Sequence, residues 1–71
     1  MSKMSMGKVI ELTCSSPKSF DDAIRTGLER AKQTLDEIRG AWIKEQKVVF
    51  ENGQITEFRV DMKVSFLLHD K

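Results

Sequence analysis

Asn52-Gly53 sits between two runs that alternate apolar and polar residues, and no other feature constrains the fold of this chain as strongly. Both central residues of a type I′ turn need positive φ, which asparagine and glycine tolerate. A two-residue turn also sets the register of the strands it joins. Glu51 then opposes Gln54, Val49 opposes Thr56, Ile43 opposes Met62 and Ala41 opposes Val64. One face of this ribbon collects Ala41, Ile43, Val49, Phe58, Val60, Met62, Val64 and Phe66. The other collects Gly40, Trp42, Lys44 and Gln46 against Ser65, Lys63, Asp61 and Arg59, with Val48, Phe50 and Ile55 at the hairpin end. Lys44 is expected to pair with Asp61 and Gln46 with Arg59. Glu45 falls on the core side in this register, and a bulge at 45–47 is expected to return it to solvent.

Upstream, residues 8–13 (KVIELT) read as a short strand, and Ser15, Ser16 and Pro17 break it. Phe20, Ala23, Ile24, Gly27, Leu28, Ala31, Leu35 and Ile38 recur at three- and four-residue spacing, which predicts one amphipathic helix over 19–39. Ser19 is suited to its N-cap, Asp22 completes a capping-box pattern, and Asp21 and Asp22 complement the helix dipole. Gly27 within the stripe implies close approach of the sheet backbone, and Gly40 either ends the helix or opens the next strand. The expected architecture is α+β: β-α-β-β, a three-stranded antiparallel sheet wrapped around one helix. Residues 1–6 are expected to be a disordered tail, 7–68 one domain and 69–71 a C-terminal tail.

A chain of 71 residues buries only a modest core. Chains this small usually need a staple. One cysteine, Cys14, permits no internal disulfide, and one histidine, His69, forms no zinc pattern with it. Oligomerisation is the staple that remains. Twelve basic against 11 acidic residues argue against binding to nucleic acid. No apolar run approaches the roughly 18 residues of a membrane span, and MSKMSMGK lacks the apolar stretch of a signal peptide. The expected location is cytoplasmic.

Trp42 is the residue that needs its own explanation. On the polar face of a strand, it is either a stacking platform for a flat ligand or an anchor between subunits. Arg59 and Gln46, expected beside it, can hydrogen-bond a heterocycle edge or a phosphate, or form a solvated polar pair. There is no Ser/His/Asp set, no cysteine–histidine pair and no metal-ligand cluster, so no catalytic residue is assigned and an enzyme is not expected. The acidic residues Asp21, Asp22, Asp36, Glu37 and Asp61 lack calcium-loop spacing, and no metal ligand is assigned.

The segments KVIELTCSSPKSFDDAI, GLERAKQTL, IKEQ and ENGQITEFRVDMKVSF together resemble the dodecins, over about residues 7–68 without a gap. The resemblance implies a hollow homododecamer that stores or buffers flavin (FMN or riboflavin), with isoalloxazine rings stacked between symmetry-related tryptophans and a glutamine bonding the ring edge. Here Gly40 holds the position of the family tryptophan, Trp42 follows two residues later, and Arg59 holds the position of the glutamine. Arg30, Thr34 and Lys47 match positions near ligand phosphates in some members. Some dodecins are described as binding calcium instead. Three readings stay open: a shifted flavin site of Trp42, Arg59 and Gln46 beside Gly40; a different small ligand; or a flavin-free structural or calcium-binding assembly in which Trp42 is an interface anchor.

Overall fold

The runs flanking Asn52 and Gly53 form one long β-hairpin. Asn52 has φ 52° and Gly53 φ 74°, and Glu51 opposes Gln54. The computed structural model describes residues 5–69 apart from Asp36. The chain runs β1 (Ser5–Ser16), α1 (Phe20–Ala31), β2 (Ile38–Glu51) and β3 (Gln54–His69). The strands form one antiparallel sheet in the order β1-β3-β2. The architecture is therefore the expected β-α-β-β. The strands reach into both expected tails, because Ser5 pairs with His69 and Met6 with Leu68. The rest of those tails, residues 1–4 and 70–71, lies outside the described residues, as does Asp36.

The start of α1 follows local chemistry. The Ser19 hydroxyl accepts the Asp22 amide at 2.9 Å, which satisfies one of the orphan donors of a helix start. Asp22 does not complete the capping box; its carboxylate accepts the Ser16 hydroxyl at 2.7 Å and ties the helix start to the end of β1. The end of α1 does not follow the apolar period. The helix stops at Ala31 with Lys32 as its cap, well short of the expected 39. Gln33 and Thr34 donate to Arg30 and Ala31, three residues back, which tightens the chain into a turn. Leu35 and Ile38 still reach the core, Leu35 from the turn and Ile38 from β2 opposite Phe66. Pairing to β3 has overridden a helical period that these two residues satisfy by coincidence. Gly40 is accordingly a β2 residue opposite Ser65 and does not cap the helix.

Even-numbered residues of β3 face the helix. Val60, Met62 and Val64 are fully buried with Ala23, and Phe66 is nearly so. Phe20 meets Phe58 edge to face, with centroids 5.2 Å apart. α1 packs on β1 and β3. Gly27 is required by a side chain, not by the sheet backbone: a Cβ there would overlap Cys14 Sγ and lie 3.0 Å from Cys14 Cβ and 3.3 Å from Met62 Cε. The helix-side face of β2 is largely exposed, with Ile43 at 40% and Val48 at 39%.

Three register irregularities break the hairpin, between Ile38 and Gly40, between Ile43 and Glu45, and between Val49 and Phe50. The expected pairs Ile43–Met62 and Ala41–Val64 are present. Between the last two irregularities every pairing is displaced by one: Glu45 opposes Asp61, Gln46 opposes Val60, Lys47 opposes Arg59, Val48 opposes Phe58 and Val49 opposes Glu57. The extra residue is Lys44, just before the expected 45–47 bulge. Because side chains alternate along a strand, a one-residue slip exchanges faces. Gln46 and Val48 therefore move to the helix side, and Glu45, Lys47 and Val49 to the outer side.

Candidate functional site

The sheet face away from α1 carries the candidate site. Its side chains come from odd-numbered positions of β1 and β3 and from the β2 residues opposed to them. Read along the sheet, one row is Val9, Ser65 and Gly40; the next is Glu11, Lys63 and Trp42; then Thr13, Asp61 and Glu45; then Ser15, Arg59 and Lys47. Trp42 is 48% exposed and Val9 47%. Among the described residues no element covers either.

Below Trp42 the face is an ionic belt. The bulged Lys44 crosses β3 to reach Glu11 on β1 at 3.1 Å, and the Glu11 carboxylate raises the Lys44 pKa by hydrogen bonding and charge. Thr13 donates to Asp61 at 2.9 Å. Thr13, Glu45, Lys47, Arg59 and Asp61 line a shallow depression of about 280 Å³. Arg59 donates to Glu57 at 3.0 Å. The Ser15 hydroxyl, followed by the Arg59 guanidinium, holds the Glu57 carboxyl below the usual glutamate range. A carboxyl with a lowered folded-state pKa stabilises the fold above its unfolded value, and that contribution fades as pH falls through the folded value. In an NMR pH titration Glu57 is expected to lose its proton at lower pH than a free glutamate, and Ser15→Ala to move its midpoint up. A midpoint that Ser15→Ala leaves unchanged contradicts this assignment.

The structure does not gather all the expected site residues. Trp42 opposes Lys63 and Lys47 opposes Arg59. Arg59 lies four residues along β3 from Lys63, so Trp42 and Arg59 are offset by about 13 Å along the strands at 3.3 Å per residue. Lys47 is beside Arg59, whereas Gln46 is on the other face of the sheet. Arg30 lies in the last turn of α1 and lines a groove with Thr13, Cys14, Ser15, Thr26 and Gly27 along the β1 edge. Thr34 is exposed in the following turn. Neither Arg30 nor Thr34 joins Trp42 within one chain. In the groove, burial and then the Asp61 charge push the Cys14 thiol pKa up, which disfavours the reactive thiolate.

Sequence reasoning missed Thr13, Glu45 and Asp61 as neighbours. The strand patterns contained Thr13 and Asp61, but their row with Glu45 depends on the bulge at Lys44. Among the described residues no group of three or more His, Cys, Asp or Glu side chains is placed to hold a metal ion. No helix among them is long and apolar enough to cross a membrane.

Comparison with known proteins points one way. The dodecin family model matches residues 6–69. A protein of Mycobacterium tuberculosis named calcium dodecin is 33% identical over 63 residues, covering 89% of each chain. A dodecin structure from Streptomyces davaonensis superposes with a TM-score of 0.89 at 35% identity, covering 93% of this chain and 97% of its own. The crystal structure of the Mycobacterium tuberculosis calcium dodecin, described as calcium chelating, gives a TM-score of 0.77 at 34% identity over 86% and 87% of the two chains. With the family match spanning nearly the whole chain and the β-α-β-β fold shared throughout, this protein belongs to the dodecin family.

Proposed function

We propose that this chain is a non-catalytic binding protein that sequesters flavin, or a similar flat cofactor, in a homododecameric shell in the cytoplasm. The observation that carries the reading is Trp42, a half-exposed indole on the sheet face that α1 leaves uncovered. An exposed aromatic face is a stacking platform for another ring. The donors and acceptors of the same face suit the polar rim of an isoalloxazine, so the residues present fit the group. Bound there, a flavin would be stored by stacking, with its excited state quenched by the indole.

Assembly is supported by shape. The chain spans 59 × 19 × 13 Å and exposes 5374 Å², against about 4,500 Å² for a compact monomer of this mass. The bare helix-side face of β2, with Ile43 and Val48, is apolar surface that a neighbouring subunit would cover.

Calcium binding is the second reading, favoured by the names of the Mycobacterium tuberculosis protein and its structure. Titration with riboflavin and with FMN separates the two. Light scattering is expected to give a particle near twelve times 8.1 kDa. Flavin fluorescence is expected to be quenched saturably in proportion to subunit number. Trp42→Ala is expected to weaken binding by about tenfold or more, in line with one lost ring stack, while the particle stays assembled. Unquenched flavin at micromolar concentration, with calcium stabilising the intact particle, would favour the second reading. Disassembly of Trp42→Ala would make the indole an interface anchor.

A further inference from the structure

Resting on the flavin reading, we infer that the ring seats on the Gly40 side of Trp42, on a shelf formed by Gly40 and Ser65, and that Gly40 decides whether a flat ligand can enter. Two neighbours of Trp42 along the outer face of β2 offer different surroundings. Toward the hairpin end come Lys44, Glu45 and Asp61, and charged side chains occupy the space. An apolar ring laid there would desolvate them. Toward the start of β2 comes Gly40, where an added Cβ would meet only Ser65 Oγ, at 3.7 Å.

The row through Gly40 is therefore low. It holds a glycine and a serine, with the half-exposed Val9 as its far wall and the Trp42 indole rising beside it. Positions two residues apart on a strand share a face about 6.6 Å apart, which leaves room for a ring to lie on the strand backbone against the indole. The Ser65 hydroxyl spends its hydrogen on the Gly40 carbonyl at 3.3 Å, so its oxygen lone pairs can accept from a ring N–H. Gly40 does not have positive φ, so no turn geometry demands a glycine at this position. Its small size keeps the row low beside the indole.

On this assignment Arg59 of the same subunit takes no part in holding the ring. It is engaged by Glu57 and stands beyond the ionic belt. Gly40→Leu fills the shelf without a backbone clash, whereas Arg59→Gln alters only the far end of the face. Both variants are compared with wild type by riboflavin quenching and light scattering. Gly40→Leu is expected to assemble and to bind about tenfold or more weakly, the scale of one lost ring contact; Arg59→Gln is expected to bind as wild type. Gly40→Ala adds a single methyl with no close contact, and a weakening in it carries the same sign should Leu disturb the particle. Wild-type affinity in both Gly40→Leu and Gly40→Ala overturns the shelf while leaving the flavin reading intact. Loss of binding in Arg59→Gln also overturns it, by placing the ring over the belt. No quenching by the wild type overturns the flavin reading and the seat together.

Discussion

Met62→Ala is expected to destabilise the protein by about 2–5 kcal/mol, the range for truncating a fully buried methionine. Met62 is the largest of the fully buried side chains. It sits at mid-β3, opposite Leu12 on one side and Ile43 on the other, and its terminal methyl lies under Gly27. Its removal leaves a void shared by all three strands and the helix, with no second core layer to collapse into it. In a domain of this size each 1 kcal/mol corresponds to a melting shift of about 4–8 °C. Thermal unfolding followed by circular dichroism at fixed protein concentration is expected to show a fall of 10 °C or more, roughly twice that unit shift or above. Met62→Leu keeps the volume and is expected to lose less than about 1.5 kcal/mol. Equal melting points for Met62→Ala and wild type would mean that the core is not centred on this residue.

Gly27→Ala is expected to destabilise the protein even though alanine is the better helix former. The propensity gain is about 1 kcal/mol. Against it stands the overlap of the new methyl with Cys14 Sγ, and forced overpacking of this kind costs typically 1–3 kcal/mol. The sulfur is the nearest obstacle; Cys14 Cβ at 3.0 Å and Met62 Cε at 3.3 Å need to give by only a few tenths of an ångström. Cys14→Ala removes the obstacle, so the double variant is expected to be more stable than Gly27→Ala alone. The interaction energy in the double-mutant cycle should fall in the 0.5–3 kcal/mol range of residues in contact. Additive effects of the two substitutions would show that the helix and β1 separate to absorb the methyl.

Several parts of the fold were legible in the sequence because they depend on chemistry within a few residues. The I′ turn at Asn52-Gly53 follows from the φ values those residues permit. The helix start follows from Ser19 and the Asp22 amide three residues later. The alternation over Phe58, Val60, Met62, Val64 and Phe66 identified the core face of β3, as a strand buried on one side must. The family resemblance was legible for the same reason, since its motifs are contiguous stretches of chain.

The helix end and the site rows were not legible. Leu35 and Ile38 fit a helical period and also fit a turn and a strand, and local periodicity cannot choose between two arrangements that bury the same side chains. The bulge at Lys44 was expected just downstream of its actual place. That small displacement changed the role of almost every candidate ligand: it sent Gln46 to the helix side, brought Lys47 beside Arg59 and paired Glu45 with Asp61.

By itself, then, the sequence determined the order of elements, the turn, the helix start, the buried face of β3 and the family. Only the tertiary structure decided where the helix ends, where the hairpin bulges and which polar side chains share a face with Trp42. The physical reason is range. Turn and cap geometry are set by covalent neighbours, whereas a bulge sits wherever cross-strand packing, the Lys44–Glu11 contact and the opposing strand together best accommodate one extra residue. That balance involves residues 33 positions apart in the chain.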